Sequence, residues 1–105
     1  MAGVYKQIDN NTGSSDRVTI ITKETNVSHG TNYKKILIAN ENTSNVVNVT
    51  VDLNDGTNTY TIIKEVEIPV KSSLVLEDNV EFNSKDFNLS ITTSGTAPLV
   101  TVIVK

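Results

Sequence analysis

Cysteine and tryptophan are absent from this chain of 105 residues, histidine and methionine occur once each, and proline occurs twice. Without cysteine there is no disulfide framework and no thiolate metal site, so stability must come from packing and backbone pairing. The one histidine, His29, sits in the polar stretch S-H-G-T-N, and no nucleophile-elbow pattern occurs anywhere for it to serve. It reads as a solvated loop residue, and triad hydrolysis is not expected. Glycoside hydrolysis needs a carboxylate pair in a cleft, usually beside aromatic platforms. Glu65 and Glu67 instead alternate with Val66 and Ile68 as the wet side of a strand. Lys and Arg are scattered, with only Lys34 and Lys35 adjacent, and the formal charge is -3. Phosphate neutralisation needs a clustered basic stripe, so nucleic acid is not an expected partner. No segment approaches membrane-spanning length, and the opening M-A-G-V-Y-K-Q-I-D holds no apolar run long enough for a signal peptide. The expectation is a soluble chain with no membrane partner.

What the chain has in quantity is Val, Ile, Thr and Asn. Branched side chains favour the pleated strand and Asn favours turns, which together point to the all-β class. The clearest pattern lies between Val46 and Ile63. Val47, Val49, Val51 and Leu53 alternate with Asn48, Thr50 and Asp52, the period of a half-buried strand. Asp55-Gly56 supplies the reversal, since Gly takes the positive φ a tight loop demands. Tyr60 and Ile62 then resume the apolar side on the return strand.

Other strands follow in order. Val4 to Ile8 and Arg17 to Lys23 are separated by the loop Asn10 to Asp16. Ile36 to Ala39 runs apolar without alternation, which predicts a central strand covered on both faces. Lys64-Glu65 reads as a bend where the chain passes from one sheet toward the other, and Pro69 suits an edge strand. Leu74 and Leu76 form a short strand. Glu77 to Lys85 is a polar connection pinned to the core by Val80 and Phe82. Phe87, Leu89 and Ile91 alternate again, Thr93 to Pro98 turns the chain around Gly95, and Leu99 to Val104 closes it. Seven to nine short strands with a turn about every ten residues predict an antiparallel two-sheet, immunoglobulin-like sandwich over residues 33–105. Residues 1–32 are expected to form an N-terminal arm and flanking strand, lying along the main domain or along a neighbouring subunit.

Glu77, Asp78, Glu81 and Asp86 crowd one connection, but their spacing matches no calcium loop and Lys85 interrupts them. No metal, cofactor or catalytic residue is expected. The tips Asp55, Gly56, Asn58 and Gly95, within the loops Asn54 to Asn58 and Thr93 to Thr96, are the candidates for contact with a ligand such as a glycan.

The stretches K-K-I-L-I-A-N, T-I-I-K-E-V-E-I-P and S-S-L-V-L-E, followed by the final hairpin D-F-N-L-S-I-T-T-S-G-T-A-P-L-V-T-V-I-V-K, resemble small virion structural proteins of tailed bacteriophages. The likeness is to phages of cyanobacteria and similar marine hosts in particular, and it covers about the last seventy residues. It implies an immunoglobulin-like sandwich made in the host bacterial cytoplasm and held in the virion by protein–protein contacts. The role would be capsid surface decoration ahead of a neck, collar or tail component, with repeated copies or a homo-oligomer in the particle. A carbohydrate-binding adhesion module is the alternative. The family offers no catalytic residues. Residues 1–32 depart from the shared pattern; Val4, Tyr5 and Ile8 are the candidates there for an anchor to other virion proteins. On that reading, deletion up to about Lys23 should leave a folded domain that no longer joins the particle.

Overall fold

The chain turns back on itself at the tip 55–58, and every strand before that tip pairs antiparallel with its counterpart after it. The computed structural model describes residues 3–10, 15–77 and 80–105. Its strands are β1 (Val4–Asp9), β2 (Asp16–Ile21), β3 (Asn32–Tyr33), β4 (Ile36–Asn40), β5 (Val47–Asn54), β6 (Thr59–Ile68), β7 (Ser73–Leu76), β8 (Phe82–Asn83), β9 (Asn88–Gly95) and β10 (Leu99–Val104), with no helix among the described residues. Strand β1 pairs with β10, β2 with β9, β3 with β8, β4 with β7 and β5 with β6. The hairpin singled out by its alternation is thus the fold-back point of the whole chain.

Two further pairings, β10 with β4 and β9 with β5, roll this ribbon into two four-stranded sheets. Sheet A has the order β1-β10-β4-β7 and sheet B the order β2-β9-β5-β6, while β3 and β8 make a small two-stranded ribbon. The all-β, antiparallel two-sheet sandwich expected from the residues is the architecture found. Its connections are those of a jelly roll, eight main strands wound as a folded-back ribbon. An immunoglobulin order would place the first two strands in one sheet, whereas here β1 and β2 lie in opposite sheets.

The core sits between the sheets and is aliphatic. Sheet A contributes Ile8, Ile36, Ile38, Val100, Val102 and Val104; sheet B contributes Ile20, Ile21, Val47, Val49, Val51, Leu89 and Ile91. Val80 and Phe82 are buried as expected for a pinned connection, and Phe82 stacks at 5.4 Å on Tyr33. Residues 1–32, so far as they are described, lie along the main domain. They supply the edge strand β1 to sheet A and the edge strand β2 to sheet B. A register shift in β2 between Thr19 and Ile21 turns both Ile20 and Ile21 inward, so strict alternation ends there.

Strand β6 behaves differently from its sequence reading. Lys64-Glu65 does not carry the chain between sheets, because β6 remains in sheet B to Ile68 and pairs again at Val66. The disturbance is a bulge, with Glu65 at φ 49° and its N–H donated to Thr50 Oγ1. An earlier irregularity puts Ile63, rather than Ile62, opposite Val51. Bulges and charges on an exposed edge block pairing with a stray strand. The crossing to sheet A comes later, in the turn after Pro69, where the Ser72 N–H reaches the Pro69 carbonyl.

Candidate functional site

The two outward faces of the sandwich differ in chemistry, and the difference is written in the strand registers. On sheet B, Arg17, Thr92 and Thr50 lie in one cross-strand row, Thr19, Ser90, Asp52 and Thr61 in the next, and Asn88, Asn54 and Thr59 in a third. Every one of these is polar. They frame a shallow groove of about 290 Å³ lined by Arg17, Thr19, Thr22, Asn54, Asn88 and Ser90. Asp52 is buried on this face, and its carboxylate accepts from Arg17 Nη2 at 2.5 Å. That hydrogen bond is the main reason the Arg17 pKa is raised. The amides are already engaged. Asn54 Oδ1 accepts from the Gly56 N–H and Asn54 Nδ2 donates to Thr59 Oγ1, while Asn88 accepts from the Lys23 N–H and donates to the Asn54 carbonyl. Most of this face binds itself.

Sheet A presents a different surface. One row across all four strands reads Tyr5, Ile103, Leu37 and Val75. Tyr5 is 64% exposed and Val75 43%, with Leu37 and Ile103 half-buried by their neighbours. The adjoining row is Gln7, Thr101, Ala39 and Ser73. Charges close the two ends. Lys35 and Lys105 lie beyond the apolar row, Lys35 within 3.7 Å of Glu77, and the space between them opens onto Leu37 and Ile103. Asp9 and Glu41 lie at the other end, where Glu41 accepts hydrogen bonds from Thr101 and Gln7 that hold its pKa below the ordinary value.

The residues nominated from sequence are placed as follows. Ile8 is buried in this chain's own core opposite Val100, and Val4 is partly buried beside it, so only Tyr5 of that trio faces solvent. Asp55, Gly56 and Asn58 form the fold-back tip. Gly56 has φ 101° with nothing near a would-be side chain, and Asp55 Oδ1 accepts the N–H groups of Thr57 and Asn58 at 2.9 and 2.7 Å. Gly95 stands opposite Val47, at the far end of β5 from that tip. Seven residues of extended strand separate the two ends, about 24 Å, so the tips do not form one site. Thr93, placed in a turn by its sequence context, is fully buried in β9 and receives the Asn10 side chain. Of the carboxylate run, Asp78 lies outside the described residues, and His29 is exposed in the segment before β3.

The Asp55 turn yields a pH prediction. Hydrogen bonds from Asn58 and Thr57 lower the Asp55 pKa. Its contribution is complete above the unfolded-state carboxylate pKa and fades as pH falls through the lower, folded value. An NMR titration is expected to find the Asp55 midpoint below the ordinary aspartate value, with the Thr57 and Asn58 amide shifts following it. A midpoint at or above that value would mean the turn bonds are not formed.

Of the outward row of sheet A the sequence nominates only Tyr5, yet the other members leave a signal there. Ile36 to Ala39 was expected to be covered on both faces, and the sandwich covers only one.

No protein-family model matches the chain, and no curated protein matches it. Among solved structures it is similar to one of infectious bursal disease virus, Gt strain, at 11% identity and a TM-score of 0.43. That alignment covers all of this chain and 29% of the viral one. It is also similar to an exo-β-1,3-galactanase from Phanerochaete chrysosporium solved with galactose, at 16% identity and a TM-score of 0.39, covering all of this chain and 30% of the enzyme. The chain therefore spans under a third of either protein. Likeness this loose carries no argument about what the chain does.

Proposed function

We infer that this chain is a bacteriophage virion structural protein, docked by protein–protein contacts as a capsid surface decoration in the first instance, and as a neck, collar or tail component in the second. The resemblance of residues 33–105 to small phage virion proteins supports this reading. The structural observation that carries it is the outward face of sheet A. A sheet that faced only water would alternate apolar with polar, but β4 and β10 keep Leu37, Leu99 and Ile103 on their outer side. Apolar surface held in one row across four strands is what a protein partner covers.

Quantifying the chain in purified particles tests the reading. The wild-type chain is expected in fixed stoichiometry with the other virion proteins. A Leu37→Asp chain, folded by circular dichroism, should be incorporated several-fold less. Absence of the wild-type chain from purified virions would overturn the virion assignment, and equal incorporation of the variant would remove the sheet A face from the docking role. The sheet B groove favours a second reading, a glycan-binding module, because hydroxyl and amide groups line it. Glycan-array binding lost on Arg17→Ala would support that reading over the first.

A further inference from the structure

We propose that the outward face of sheet A is a self-association surface whose occupant is the same face of a second copy of this chain, related by a two-fold axis that lies between the two faces and runs across the strands. This extends the docking reading above by naming one partner, and the incorporation test and the association test can fail independently.

The strand registers specify this pairing. A two-fold of that kind keeps each strand over its own copy and reverses position along it, as an isologous contact requires. With the axis between the two central rows, the bulky row falls on the small one. Leu37 meets the second copy's Ala39, Ile103 meets its Thr101, and Val75 meets its Ser73, by the cross-strand registers of β4, β10 and β7. Large against small is how facing layers interdigitate without voids. The same operation carries the basic end onto the acidic end. Lys35 comes over the second copy's Glu41, and Lys105 comes over the end that holds Asp9 and Leu99. The other in-plane two-fold, parallel to the strands, would set Lys35 and Lys105 against the basic end of the copy and is disfavoured. Sheet B offers no such match, since its outward rows are polar throughout.

Four strands about 4.8 Å apart and four rows about 7 Å apart make a patch of roughly 540 Å² per copy. That is smaller than the roughly 800 Å² per partner of a stable complex. The pairing is therefore weak in dilute solution and becomes substantial where copies are held at high local concentration, as on a particle.

Sedimentation equilibrium of the full chain is the first measurement. The average mass should climb from 11.4 kDa toward twice that value as concentration rises from about 20 μM to about 1 mM, the range expected of an interface this small. Leu37→Asp should hold the mass at the monomer value with an unchanged melting temperature. The register is tested by charge. Lys35→Glu alone and Glu41→Lys alone each set like charges together twice across the axis, and each should weaken association about tenfold. An equimolar mixture of the two variants sets opposite charges together at both places and should recover the wild-type affinity. A wild-type chain that stays monomeric to 1 mM would overturn the proposal, as would Leu37→Asp associating like wild type. A mixture no tighter than its two components would overturn the register.

Discussion

A chain that starts at Glu24 is expected to fail to fold. Removing the preceding residues takes the edge strand from each sheet, β1 from the side of β10 and β2 from the side of β9. It also removes Ile8, Ile20 and Ile21, which are 4%, 9% and 6% exposed. Full burial of one large aliphatic side chain is worth about 1.5–3 kcal/mol, so the three together represent about 5–9 kcal/mol. A domain of this size has about 5–15 kcal/mol in total. The truncation also bares the backbone of β9 and β10, two strands that are otherwise paired on both sides and that would then invite aggregation. Far-ultraviolet circular dichroism and amide dispersion in an NMR spectrum would report the outcome. A cooperative melt near that of the full chain would show that the first strands are an accessory after all. Truncation is consequently a poor test of anchoring, because loss of binding could not be told from loss of fold. Point changes at Tyr5, which faces solvent, separate the two.

The sequence carried local pattern well and long-range pairing poorly, for a physical reason. Alternation in 46–54 reports which side of a strand is wet, and Val47, Val49 and Val51 are buried as that pattern requires. Nothing local reports that Val4 will sit opposite Val104, or that Arg17 will find Asp52 thirty-five positions away. Those depend on the winding of the ribbon. The first two strands looked detachable because their alternation is weak. One is an edge with a single fully inward residue, Ile8, and the other is bulged at Ile20. Lys64-Glu65 did mark a break, but bulge and sheet-crossing leave the same trace in a sequence: a charged pair interrupting an apolar side. Thr93 reads as turn material because it opens a run of small residues, and the Asn10 contact accommodates its hydroxyl inside. The unalternating Ile36 to Ala39 was the most informative mismatch. It called for cover on both faces, the sandwich gives one, and the remaining side is the face assigned here to a partner.

Asn40→Ala is expected to cost about 2–4 kcal/mol, a large penalty for one side chain outside the aliphatic core. Asn40 ends β4, is 3% exposed, and sits where the chain changes sheets twice, once on the way to β5 and once on the way from β6 to β7. Its Nδ2 lies 3.1 Å from the Asn45 carbonyl, 3.1 Å from that of Ile68 and 3.2 Å from that of Pro69. Its Oδ1 accepts the Asn42 N–H at 2.9 Å. One amide therefore ties both crossovers to the strand between them. Alanine takes the side-chain donor from the Asn45 and Ile68 carbonyls and the acceptor from the Asn42 N–H, leaving the Pro69 carbonyl to the Ser72 N–H alone, and an unsatisfied buried group costs about 1–3 kcal/mol. Aspartate should be worse at neutral pH. Its carboxylate can still accept from Asn42 but cannot donate, and it faces the carbonyl oxygens. Burial among acceptors would raise its pKa in the folded state, so the Asn40→Asp chain should regain stability as pH falls through that raised value. Urea denaturation of the three chains at two pH values measures all of this. An alanine variant within about 0.5 kcal/mol of wild type, the range of ordinary surface changes, would mean that the crossovers hold without the amide. The clamp would then have to be sought in the backbone bond from the Asn40 N–H to the Ser72 carbonyl.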